Sequence, residues 1–258
     1  MMYDTKYGAT FGYANAGDSA SYHSMRDFCL YPRSKPIIAP PEPKTQYVDV
    51  PGSDGQLDFT ESLDGEVHYQ DRQGTFPYVY LGSRSQWDAI YHRVLAAVHG
   101  KKMAVILDED NGGYYYGRFT VQPPEYNREG TKMFITITAD LEPWFYDLYS
   151  TIQPWVWDTF NFETGIIRDY SAIVVNSASE AITYTLVGSQ RPICPVFRLT
   201  SGNAVQVTYV SVDGTSVSKT MTTGRDYQYD DFIIHEGETD IQLVGVGTLQ
   251  IDYRGGAL

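Results

Sequence analysis

Acidic and hydroxyl side chains crowd together at 48–63, VDVPGSDGQLDFTESL, where Asp49, Asp54, Asp58 and Glu61 lie among glycines. Such a set invites comparison with a calcium loop, in which oxygen ligands at alternate positions precede a glycine and a distant glutamate closes the cage. The spacing does not fit: Gly55 follows Asp54 at once, and only Asp58 lies in the interval after it. Six or more oxygens are not supplied, so no metal is expected. The same residues spell two turns instead. Pro51 presets a bend and Gly52 and Gly55 supply positive φ, with Asp54 before the second glycine. Leu57 and Phe59 then alternate with Asp58 and Thr60, the pattern of a short one-faced strand. A hairpin with a tightly specified turn is the expectation.

No other group of residues makes a stronger chemical case. Asp108, Glu109 and Asp110 precede Asn111 and Gly112, which reads more economically as an acidic hairpin tip than as a cation site. The five histidines, His23, His68, His92, His99 and His235, form no HExxH, no i, i+4 pair and no partner to a GxSxG elbow. LVGVGTLQ has half of a dinucleotide fingerprint but lacks its third glycine and lies in a strand pattern, and no phosphate loop occurs. Cys29 and Cys194 stand far apart without CxxC spacing, so they are expected reduced and partly buried. Paired carboxylates for glycoside hydrolysis depend on the fold rather than on spacing. No catalytic residue, metal or cofactor is expected, and the chain does not read as an enzyme. PWVWDTFNF offers Trp155 and Trp157 as possible glycan-stacking aromatics; the competing reading places Trp155, Trp157, Phe160 and Phe162 in or near a strand entering a second core.

The elements that hold these residues read as mainly β. The chain has 258 residues, enough for one large domain or two modest ones. Its 22 tyrosines, with many threonines and valines, favour pleated, half-buried surfaces. The net charge of −13 is shared, with 13 basic and 20 acidic side chains in residues 1–148 and 6 and 12 in 149–258. That disfavours specific nucleic-acid binding or an anionic membrane surface. The N-terminus lacks a basic region followed by an apolar run, and no stretch approaches the apolar length of a membrane helix, so a soluble protein made in a cytoplasm is expected.

Three regions follow along the chain. Residues 1–145 contain a proline-rich extended segment with Pro36, Pro40, Pro41 and Pro43, then one amphipathic helix over 83–100. In that helix Trp87, Ile90, Tyr91, Val94, Leu95 and Val98 share a face, Ser83 or Ser85 is placed to cap its start, and Gly100 to end it. Strands are expected at 102–108, 114–121 and 132–141, with Met133, Ile135 and Ile137 on one face. Residues 146–171 form an aromatic connection that packs. From 172 to 258, strand signals recur at short spacing: AITYTLVG, PVFRLTS, AVQVTYVS, SVSKTM, FIIHEGE and DIQLVGVGTLQIDY. In the last, Ile241, Leu243, Leu249, Ile251 and Tyr253 all fall at odd positions, the alternation of a β-sandwich strand.

In their order, these features resemble a known family, the distal tail proteins of long-tailed phages that infect Gram-positive hosts. The resemblance is carried by SMRDFCLYPRSKPIIAPPEP, VDVPGSDGQLDFTESLDG, the helix ending in VHGKK before AVILDED, YYYGRF, WDTFNFETG and the C-terminal GTLQIDYRGGAL. It implies a β-rich N-terminal domain that closes into a hexameric ring and a C-terminal galectin-like β-sandwich projecting from it. Such rings sit in the virion between the tail tube and the tail-tip proteins, which become the expected partners. A proline-rich arm, edge strands and a specified hairpin are features that pair with a neighbour, and a head-to-tail interface of fixed rotation closes into a ring. On this view Pro51, Gly52, Asp54, Gly55, Leu57 and Asp58 aim the hairpin at an adjacent subunit or at the core of their own domain. The acidity suits a lumen through which DNA passes without sticking. A second reading, a carbohydrate-binding adhesin at the tail tip, rests on the aromatics and on the sandwich.

Overall fold

The computed structural model describes residues 5–12, 21–63, 65–153 and 168–258. It is mainly β, and the chain divides into two compact units, Met1–Phe145 with Leu258, and Tyr146–Ala257.

The first unit holds β1 (Ala9–Gly12), β2 (Tyr22–His23), β3 (Leu30–Pro32), β4 (Ile37–Ile38), β5 (Tyr47–Asp49), β6 (Gln56–Asp58), β7 (Arg72–Tyr80), β8 (Lys102–Leu107), β9 (Gly113–Val121), β10 (Glu125–Tyr126) and β11 (Met133–Leu141), with helices α1 (Ser24–Phe28) and α2 (Trp87–Val98). Its main sheet runs β2-β1-β8-β9-β11-β7-β3, with β4 beside β7 and β10 beside β11. Strict alternation along β11 buries Met133, Ile135, Ile137, Ala139 and Leu141. Phe11 and Phe119 meet edge to face at 5.3 Å between ring centres, and Phe76 joins them. The helix α2 adds Trp87, Val94, Ala97 and Val98 to that core. It starts later than the sequence suggests, because 84–86 forms a 3₁₀ turn and the Ser83 and Ser85 hydroxyls bond each other rather than capping an N–H.

Central strand β7 escapes the sequence pattern because it contains Gly74 and Pro77. Pro77 is tolerated by position: β3 pairs Tyr78–Tyr80, β4 pairs Gly74 and Thr75, and Pro77 lies between the two partners. A residue's N–H and C=O point to the same side of a strand. The Pro77 carbonyl accepts from Arg33 N on that side, so the missing donor costs no ladder bond to β11.

After β12 (Phe145–Asp147), the second unit is built from β13 (Ile173–Val187), β14 (Val196–Val210), β15 (Ser216–Thr222), β16 (Asp226–Gln228), β17 (Glu238–Asp252) and β18 (Gly256–Ala257). Its sheet runs β13-β17-β14-β15, with β16 also against β14. Three of these strands have 15 residues each, so several short strands expected from the sequence merge into long ones. They bend where the register slips, at Ser177/Ile182 on β13 and at Leu199/Ser201 and Gly202/Val205 on β14. From Leu199↔Leu249 to Val205↔Gly245, β14 advances six residues while β17 advances four. The excess is even, so the inward parity survives the bend. Phe197, Leu199, Val205, Val207 and Tyr209 all point into one core, as do Ile241, Leu243, Leu249 and Ile251 across from them. The curled sheet thus wraps a single apolar interior.

FIIHEGE is not a strand: Phe232 and Ile234 are buried core side chains, held by a single bridge between Ile193 and Ile234. The described parts of the aromatic connection belong to the second unit. Thr151 is buried and its Oγ1 donates to the Ile251 carbonyl at 2.7 Å while accepting from Tyr253 N. Arg168 donates to Asp147 Oδ2 and to the Val187 and Gly188 carbonyls. Burial still pushes the Asp147 carboxyl above its usual range, against the pull of Arg168 and Arg254. Among the cysteines, Cys29 is exposed rather than partly buried; it ends α1 with φ +53, and both thiols are free.

Candidate interaction site

The stretch 48–63 sits at the end of a two-stranded ribbon. Ile37↔Thr75, Ile38↔Gly74 and Pro43↔Tyr69 lie in one antiparallel register, tied by Ala39 N to Gln73 O, Gln70 N to Glu42 O and Lys44 N to His68 O. The prolines fit this stem as the outer strand of a ribbon, where a missing N–H faces solvent. Beyond it, Tyr47↔Asp58, Val48↔Leu57 and Asp49↔Gln56 pair in a new register. The difference is taken up after Phe59, where Ser62 N bonds Phe59 O and Gly65 N bonds Glu61 O. From Pro43 to Val50 the ribbon reaches about 23 Å at a strand's rise per residue.

The tip is made as the sequence suggests. Gly52 has φ +84 and Gly55 φ +78, and Ser53 N bonds Val50 O. The acids are not gathered. Asp49 Oδ1 accepts from Gln56 Nε2, and Asp58 Oδ1 accepts from both Thr60 N and Thr60 Oγ1, which hold the Asp58 carboxyl below its usual range. Among the described residues no three His, Cys, Asp or Glu side chains converge as metal ligands.

Two faces result. Paired residues share a side of the ribbon, so Tyr47, Asp49, Gln56 and Asp58 lie on one, and Val48, Leu57 and Phe59 on the other, with Val50 next in alternation. No residue of β5 or β6 is buried: Tyr47 is 53%, Leu57 50% and Phe59 41% exposed, and Leu63 in the following turn 89%. Six of the fifteen exposed large apolar side chains among the described residues fall within 47–63, so the ribbon does not serve the core of its own unit. Val48, Val50, Leu57 and Phe59 each forgo roughly 1 kcal/mol relative to full burial. An isolated two-stranded hairpin is marginal in water, and this one carries an uncovered apolar face.

Sequence reasoning located the turns and the one-faced strand but missed Val48, Val50 and the stem. The readable signal was the continued alternation through Val48 and Val50, together with six acids and no lysine or arginine between Lys44 and His68. Trp155, Trp157, Phe160 and Phe162 lie outside the described residues. In the second unit an open groove at the strand bend is lined by Ala178, Asn203, Gln206, Thr220 and Val244, with no aromatic ring for a sugar to stack on. Among the described residues no helix is long and apolar enough to cross a membrane.

No family model matches the sequence, and no curated protein matches it. Among solved structures the chain is similar to SPP1 Dit (gp 19.1), described as a paradigm of the hub adsorption apparatus in phages that infect Gram-positive hosts. The match covers 87% of this chain and 91% of that one with a TM-score of 0.52, at 11% sequence identity. The two proteins share a fold.

Proposed function

We propose that this chain is a structural protein of a phage tail, a distal tail protein whose first unit closes head to tail into a hexameric ring. The ring joins the tail tube to the tail-tip proteins in the virion and is assembled in the host cytoplasm. The second unit, of galectin-like type, serves as architecture rather than as a glycan-binding module. One observation carries this reading: a ribbon about 23 Å long with an uncovered apolar face, projecting from a fold shared with a phage hub protein. A ribbon of this kind has little reason to persist unless a neighbour covers it, and a neighbour that is another copy, met at a fixed rotation, generates a ring.

The charge supports the same role. A chain of net charge −13 repels a phosphate backbone, so DNA passes through the lumen without being held. Negative-stain imaging of the purified protein tests the reading. Six-fold particles with a central hole are expected. Isolated single chains at all concentrations, with and without purified tail tube, would sink it.

A further inference from the structure

The hairpin between β8 and β9 turns at Asn111 and Gly112, both of them exposed. The Asn111 side chain makes no hydrogen bond among the described residues, and the Gly112 N–H has no acceptor there. A Cβ on Gly112 would meet nothing nearer than Asp110 Oδ1 at 3.9 Å, and its φ lies outside the left-handed region. An asparagine amide carbon and the backbone nitrogen of the next residue are one bond short of a five-membered ring. Glycine, having no Cβ, lets that nitrogen swing onto the carbon. The other described asparagines lack this freedom. Asn127 is held through both ends of its amide, Oδ1 accepting from Thr131 N and Lys132 N and Nδ2 donating to Thr131 Oγ1. Asn176 and Asn203 lie within β13 and β14 and precede Ser177 and Ala204. The Asp213-Gly214 turn has a similar sequence but is locked: its carboxylate accepts from Thr215 N and Oγ1, and Gly214 N donates to Ser211 O.

We infer that Asn111 is a site of spontaneous covalent modification, with the chain's own backbone as nucleophile and water as co-reactant. The inference is independent of the ring reading. The Gly112 nitrogen gives its proton to solvent and attacks Asn111 Cγ. A C–N bond forms, the bond from Cγ to Nδ2 breaks, and ammonia leaves with a proton taken from solvent. Water then opens the cyclic imide at either carbonyl, giving aspartate or isoaspartate. The product carries a fourth consecutive acid after Asp108, Glu109 and Asp110, one more negative charge on a chain already at −13. In the isoaspartate form the main chain also runs through Cβ, which lengthens the turn by one carbon. Three ties converge on this tip: Asp108 N donates to Gly8 O, Asp108 Oδ2 meets His23 Nε2 at 3.0 Å, and Glu109 Oε2 meets Lys35 Nζ at 2.8 Å. Lys35 stands just before β4, where the ribbon stem begins. Modification therefore loosens the hold of the sheet on residues 8, 23 and 35, and it does so irreversibly, since the amide does not return.

Timed incubation of the full chain at mildly alkaline pH, followed by peptide mapping and enzymatic methylation of isoaspartate, tests this. Asn111 is expected to convert roughly tenfold or more faster than Asn127, Asn176 or Asn203. Its rate in the native chain should fall within about threefold of that in a free peptide of the same sequence, because the turn stands open in the fold. Gly112→Ala should slow conversion roughly tenfold, by placing a Cβ beside the attacking nitrogen. That variant keeps the fold, since the position has room and its φ does not require glycine. On equal ageing the first unit of the original chain should lose melting temperature, while that of Gly112→Ala holds. A native rate roughly tenfold or more below the peptide's would mean that the fold keeps Asn111 off the Gly112 nitrogen, and overturns the site. Conversion indifferent to Gly112→Ala overturns the ring-closing route. Full conversion with no loss of melting temperature overturns the loosening of the three ties.

Discussion

The ribbon tip and the bend of the curled sheet both depend on glycines with positive φ, but for different reasons. At the tip, Gly52 and Gly55 have nothing within 4 Å of where a Cβ would stand. Only their backbone angles matter there. At the bend, a Cβ on Gly202 would lie 2.2 Å from the Val246 carbonyl oxygen, and one on Gly247 2.3 Å from that of Ser201. Those glycines let two backbones approach each other, and Gly202 also takes φ +100. One glycine set shapes an element surrounded by solvent, and the other holds a core closed. The first unit places its exposed apolar surface where a partner can reach it; the second spends the same punctuation on enclosing its own interior.

The sharpest test of that contrast is Gly247→Val. With a backbone oxygen in the way, the strands must part, and a loss of about 3 kcal/mol or more is expected in chemical unfolding of the second unit. Unchanged unfolding would show that the bend has room for a side chain at position 247. Next comes removal of the ribbon end, residues 45–67 replaced by a short glycine-asparagine turn. Assembly should be abolished while the melting temperature of the remaining chain holds within a few degrees, since no residue of β5 or β6 is buried. A marked fall in melting temperature would mean that the ribbon supports its own unit after all. Gly52→Val with Gly55→Val is milder: αL strain of about 1–2 kcal/mol per site, confined to the tip. Ring yield should drop and the protein should stay soluble, and normal assembly by sedimentation would count against a role for the tip.

The smallest effect is electrostatic. Tyr209 is buried and donates to Asp231 Oδ1 at 2.7 Å, and burial pushes its hydroxyl far above its ordinary value of 10.0. In the unfolded chain the same group ionises near pH 10. The native state then keeps a proton that the unfolded state has lost. This contribution to stability is complete below pH 10 and declines as the pH rises above it. Tyr209→Phe should flatten the alkaline limb of the second unit's stability, read as the slope of unfolding free energy against pH, and an unaltered slope would exclude the tyrosine as its cause.

Much of this architecture is written in local pattern. The helix α2 and strands β8, β9 and β11 follow from apolar period and from turns at Gly100 and 111–113, and the odd parity of β17 runs unbroken through Gly245 and Gly247. What escaped depends on partners far along the chain. Strand β7 reads poorly because Pro77 is admissible only when β3 and β4 leave a gap beside it, which no local window contains. The union of PVFRLTS and AVQVTYVS into β14 required an even register excess against β17, a property of two strands together. FIIHEGE has strand composition but serves as a plug, since Phe232 packs on Tyr209 rather than on a ladder neighbour. At the candidate site the turn glycines were legible because φ is local, whereas the exposure of Val48 and Leu57 was not, because burial is decided by what stands opposite.

The most direct test of ring formation through the ribbon is native mass measured over a range of concentrations, for the full chain and for the ribbon deletion. A discrete particle of about 175 kDa, six copies of the 29.1 kDa chain, is expected, and it should collapse to single chains when the ribbon is removed. A full chain that remains at 29.1 kDa throughout, or a deletion that still assembles to the ring mass, would contradict it.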